Sequence, residues 1–126
     1  MGIKFEIDGA VPSKKNLLRV GKHGVYRDKA VSTAIEALEW STRIKCQQAN
    51  GGRVLTLPDH ASLRFTFYCS DGKSDRDNKL TTILDVLQTA GVIQQDNIAH
   101  FNGRLILEPS QWVSSPNYEK TIVEVL

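Results

Sequence analysis

Residues 61–91 read ASLRFTFYCSDGKSDRDNKLTTILDVLQTAG, and this stretch decides the fold class. Ala61, Leu63, Phe65, Phe67 and Cys69 alternate with Ser62, Arg64, Thr66, Tyr68 and Ser70. Period-two alternation puts the apolar set on one side of an extended chain, so 61–69 is expected to be a strand with one buried face. The period then changes. Leu80, Ile83, Leu84 and Leu87 recur at helical spacing and predict a helix over about 78–90. Asp77 sits where an N-cap belongs, and Gly91 is a natural residue to end the helix.

Working outward, Ile3, Phe5 and Ile7 alternate with polar neighbours and read as a first strand. Pro12 and Ser13 mark a turn. Leu17 to Tyr26 reads as a hairpin, with Gly21 and Gly24 flanking a basic tip at Lys22-His23. Val31, Ala34, Ile35 and Leu38 predict a helix over about 29–48, which Gly51-Gly52 stops. Pro58 lies in a polar connector. Ile98 to Leu107 is expected to hold one or two strands, with Asn102-Gly103 as a hairpin turn. Pro109 to Asn117 reads as a loop and Thr121 to Leu126 as a final strand. This order gives an α+β fold, with helices packed on one sheet, as a single domain over residues 1–126.

Composition fits that reading. The 126 residues are 40% hydrophobic and 24% charged, as in ordinary globular proteins. No apolar run approaches a membrane span, and Met1 to Ala10 has no signal-peptide core, so a cytoplasmic location is expected. Cys46 and Cys69 are too few for a disulfide framework and are expected to be reduced core residues; a bridge between them is the alternative.

Net charge is only +2, but its distribution is uneven. Residues 13–29 hold Lys14, Lys15, Arg19, Lys22, Arg27 and Lys29 against Asp28 alone. Residues 71–96 hold Asp71, Asp75, Asp77, Asp85 and Asp96 against Lys73, Arg76 and Lys79. A basic segment can attract a polyanion, and clustered carboxylates can hold a metal. The plainer alternative is a soluble basic hairpin beside acidic surface turns.

Asp75 and Asp77 lie two residues apart, a spacing that puts both side chains on one face of an extended backbone. Two carboxylates held close raise each other's pKa unless a cation lies between them. Mg²⁺ suits such a place because it prefers hard oxygen ligands and commonly takes one or two carboxylates. Asp96 can return to the same end: the helix climbs roughly 20 Å, and the steps from Gly91 to Asp96 span roughly 17 Å if extended. The alternatives are Asp77 as a simple cap, Asp96 as a loop residue and Asp85 on a solvated helix face. His23 and His60 lack a second ligand at zinc spacing, while His100, four residues after Asp96, is near enough in sequence to approach the site, with a structural role as the alternative.

The ordered set Asp75-Arg76-Asp77-Asn78, then Asp85, Ala90-Gly91 and Asp96 resembles the RusA family of Holliday-junction resolvases, small endodeoxyribonucleases of bacteria and phages. Pro12-Ser13-Lys14-Lys15-Asn16 resembles the segment that family carries after its first strand, and Gly24-Val25-Tyr26 also fits. The resemblance covers nearly the whole chain. It implies a mixed β-sheet with two main helices packed on it, a homodimer, and Mg²⁺ dependence with Mn²⁺ as an alternative ion. It also implies that Asp75, Asp77 and Asp96 are catalytic, metal-binding carboxylates acting on four-way junction DNA in recombination and repair. Lys14, Lys15, Asn16, Arg19, Lys22, Lys73 and Lys79 are the expected DNA contacts.

Two positions depart from the family pattern. Thr81 stands where the family usually carries a functionally important Lys, and Gln95 replaces an acid often seen before the third carboxylate. Lys79 is about 200° from position 81 around a regular helix. Lys73, Lys14 and Lys15 are other sources of the charge. The departure at Thr81 keeps two further functions open, a non-catalytic branched-DNA-binding protein and a flap or branch nuclease.

Overall fold

The computed structural model describes residues 2–12, 18–58, 60–70, 76–93 and 103–126, without the side chains of residues 18, 19, 76 and 77. Its elements are β1 (Ile3–Asp8), β2 (Leu18–Gly21), β3 (Gly24–Arg27), α1 (Lys29–Ala49), β4 (Leu63–Cys69), α2 (Arg76–Thr89), β5 (Leu105–Leu107), β6 (Gln111–Trp112), a 3₁₀ turn (Pro116–Tyr118) and β7 (Lys120–Val125). The domain is α+β, with a mixed sheet in the order β1-β7-β4-β5 and with β6 also paired to β4. β7 is antiparallel to both β1 and β4, whereas β5 and β6 run parallel to β4.

Alternation builds this sheet. Leu63, Phe65, Phe67 and Cys69 are buried, and the residues between them are half-buried. Register aligns Leu63, Phe65 and Phe67 with Val125, Val123 and Thr121 of β7. Those three in turn face Ile3, Phe5 and Ile7 of β1. One side of the sheet is therefore apolar across three strands. The other side is polar, with Lys120 3.4 Å from Glu6 and Arg64 3.4 Å from Glu124.

Both helices cover the apolar side. Ile35, Leu38, Thr42 and Cys46 form the buried stripe of α1. Asp28 caps that helix, its carboxylate accepting the Val31 N–H at 3.0 Å. Ile83, Leu84, Val86 and Leu87 of α2 join the same core cluster as the sheet residues. α2 ends in a Schellman motif, with Val92 N–H donating to Leu87 O and Gly91 N–H to Gln88 O. Gly91 has φ +80°, the left-handed value this motif requires.

Three local expectations need correction. α2 begins at Arg76, so Asp77 lies inside its first turn and is not the cap. The same fact removes the extended backbone on which the shared-face argument for Asp75 and Asp77 rested. The expected 109–117 loop contains β6, whose Gln111 and Trp112 align with Tyr68 and Cys69. Gly103 serves a close approach: a β-carbon there would lie 1.9 Å from the Ala61 carbonyl oxygen. The Asn102 half of the expected turn and residues 98–102 of the expected 98–107 strand region lie outside the described residues, while β5 at Leu105–Leu107 supplies a strand at the end of that region.

Cys46 and Cys69 are both free and buried, as expected. Burial pushes the Cys46 thiol up to about 11. The neutral thiol therefore favours the folded state fully below its ordinary value of 9.0, and that contribution is lost as pH rises toward about 11. Cys46 in the native protein is expected to resist iodoacetamide at pH 8 and to react once urea unfolds the chain. Rapid native alkylation, mapped by peptide mass, would place Cys46 outside the core.

Candidate functional site

Lys73, Asp75, Asp77 and Lys79 follow the carboxyl end of β4 in sequence. β4 ends at Cys69, α2 starts at Arg76, and β5 returns parallel to β4. The acidic segment 71–75 thus connects the sheet's most heavily paired strand to a helix N-terminus. Asp75, Asp96, Lys14, Lys15, Asn16 and Lys73 lie outside the described residues. Asp77 is placed by its backbone in the first turn of α2. A carboxylate in that turn is favoured by the helix dipole.

Two described contacts tie this end together. Thr82 is fully buried on α2, and its hydroxyl donates to the Pro12 carbonyl at 2.7 Å. Asp77 and Thr82 are five residues apart on α2, about 7.5 Å along its axis. Pro12 is the residue from which the basic 13–17 segment departs. On the other side, Glu119 accepts the Ser70 N–H at 3.1 Å and also the Ser70 hydroxyl. Its own carbonyl takes the Gly9 N–H at 2.9 Å. Glu119 therefore joins the end of β1, the end of β4 and the start of β7 immediately before the acidic segment.

Lys79 is 8% exposed, whereas Thr81 is exposed. The helix roll thus turns Lys79 toward β4, with its Nζ 3.3 Å from Cys69 Sγ. Thiol sulfur is a weak acceptor, and a buried ammonium ordinarily has a stronger, anionic partner. Lys22 is exposed at the hairpin tip, and Arg19 is placed by its backbone in β2. Among the described residues, no three His, Cys, Asp or Glu side chains gather to hold a metal ion.

No family model matches the chain, and no curated protein matches it. Among the described residues, no helix is long and apolar enough to cross a membrane.

Sequence reasoning missed Glu119, Ser70 and Thr82. None belongs to a motif, and each matters only because strand ends and a helix meet. Removing the acceptor in Glu119→Ala leaves the Ser70 donors without it and is expected to cost about 1–3 kcal/mol in urea unfolding. Glu119→Gln, which keeps a carbonyl acceptor, should cost less. Equal losses for the two variants would show that the charge, and not the hydrogen bonds, matters at this position.

Proposed function

We propose that this protein is a Mg²⁺-dependent, structure-specific endodeoxyribonuclease that resolves four-way DNA junctions by paired phosphodiester hydrolysis in the cytoplasm. The observation that supports the reading is the Thr82–Pro12 hydrogen bond, which fastens the residue preceding the basic 13–17 sequence to α2, the helix that follows the acidic 71–75 sequence.

Asp75, Asp77 and Asp96 are the residues that would hold Mg²⁺, and their hard oxygen donors suit it. Such an ion would supply Lewis-acid stabilisation of the charge that develops on the phosphoryl group. The chain's own groups do the rest. Lys79, buried against Cys69 at the end of β4, would supply a cation that offsets carboxylate repulsion and the charge of a bound phosphate. Lys14, Lys15, Asn16, Arg19, Lys22 and Lys73 contact the DNA backbone and recognise shape more than sequence. A four-way junction has approximate two-fold symmetry, so a two-fold homodimer presents two equivalent sites to two equivalent strands.

A second reading, a branched-DNA-binding protein that does not cut, is favoured by the exposed Thr81 on α2. A labelled synthetic four-way junction with a matched linear duplex tests both. Symmetric paired nicks on the junction in Mg²⁺, with the duplex spared, are the expected result. Tight junction binding with no nick in Mg²⁺ or Mn²⁺ would replace the nuclease reading by the second one. Equal cutting of flaps and junctions would make the protein a general branch nuclease.

A further inference from the structure

The β2–β3 hairpin forms a two-stranded sheet of its own, separate from the main sheet. Its register places Val20 directly opposite Val25, and the two are 85% and 67% exposed. Cross-strand partners share a face, so this is a paired apolar patch turned outward. Tyr26 lies on the opposite face and is 54% exposed. Its ring leans over Gly21, where a β-carbon would come within 2.8 Å of the ring edge. Every residue of β3 is exposed. A ribbon of four residues per strand that buries so little is marginal in water without a partner.

Charge selects the partner. Lys22 and His23 form the exposed tip, and Arg27 is exposed at the far end of β3. Lys29 follows, and the nearest acid, Asp28, is engaged in capping α1. Two such ribbons docking together would oppose like charges, whereas a polyanion would meet them favourably. A two-stranded ribbon also has the width that a DNA groove admits. Apolar side chains that enter DNA do so by wedging between bases, and unstacking is least expensive where stacking is already interrupted.

We infer that the β2–β3 hairpin is a wedge that enters the open centre of branched DNA. The Val20–Val25 pair lies against unstacked base faces there, and Lys22 holds a flanking phosphate. This rests on branched DNA being the ligand, and it is independent of cleavage.

The test uses the full-length protein in EDTA, so that no strand is cut. A four-way junction carries 2-aminopurine at its branch point, and a linear duplex carries it mid-sequence. Wild type is expected to raise the junction signal on binding and to leave the duplex signal unchanged. The Val20→Ser/Val25→Ser variant alters two exposed side chains, and its melting curve reports that the fold is kept. It should lose the fluorescence rise and bind the junction about tenfold more weakly, with duplex affinity retained. Lys22→Ala should weaken both DNAs and reduce the salt slope by about one contact.

Junction binding by wild type with no fluorescence rise overturns the wedge and leaves the junction reading standing. Failure of wild type to bind any DNA overturns both. A double variant that keeps the rise also overturns the wedge. If the substitutions instead dissociate a dimer in sedimentation, the valine pair is a contact between copies and the wedge is overturned.

Discussion

Asp77→Asn is expected to lower Mg²⁺-dependent junction cleavage by at least about 100-fold, because groups that merely support metal ligands already cost 10–100-fold when changed. Stability should change far less. Asp77 lies in the first turn of α2, where losing a carboxylate costs about 0.3–1 kcal/mol of dipole interaction. Asparagine also preserves the side-chain size. The variant should therefore fold, bind the junction and fail to cut it. Single-turnover cleavage with saturating protein separates the effects, since weakened binding is masked there and lost chemistry is not. Full cleavage by this variant would remove Asp77 from the proposed site and, with it, the metal assignment for the segment.

Phe65→Ala carries the largest expected loss of stability, about 3–5 kcal/mol. Phe65 has no exposed surface and stands in register with Val123 on one side and Leu107 on the other. It also anchors the chain beyond β5, since its carbonyl accepts the Glu108 N–H at 2.9 Å. Against a total of about 5–15 kcal/mol for a domain, the cavity takes a large share. The melting temperature should fall by roughly 10–20 °C. In urea the midpoint should drop at unchanged slope, the signature of lost stability without a change in exposed surface. Phe65→Leu should recover most of the loss. A cost under about 1 kcal/mol would mean that the core closes around the vacancy.

Periodicity made β4, α1 and α2 legible, because seven or more residues in one period leave little choice of buried face. It could not read β6. Two residues, Gln111 and Trp112, carry no period, and only their alignment along Tyr68 and Cys69 makes them a strand. The start of α2 was shifted for a related reason, whereas α1 begins at Lys29 as expected. Asp is favourable both as a cap and in the first turn, so composition alone does not separate Arg76 from Asn78 as the starting residue. At the site, the acidic segment stood out by spacing, but its supports did not. Whether residue 79 or residue 81 faces inward depends on the roll of α2 against β4. Glu119 gains its role from three strand ends that are far apart in sequence.

The placement of β7 has a consequence for timing. β7, the described strand furthest from β1 in sequence, is the one inserted between β1 and β4, and it pairs with both. During synthesis, a chain that has reached only residue 119 holds β1 with no neighbour in the main sheet. Its apolar side, Phe5 and Ile7, has no β7 beside it, and β4 has one open edge. Helices α1 and α2 rest on local contacts, whereas joining β1 to β4 through β7 needs contacts between residues more than a hundred apart, and such long-range pairing is slow. The Ser70–Glu119 clamp completes in that same step, because Glu119 immediately precedes β7. The end of β4 is therefore organised only once residues 119–125 are in place, because Glu119 and β7 together close it.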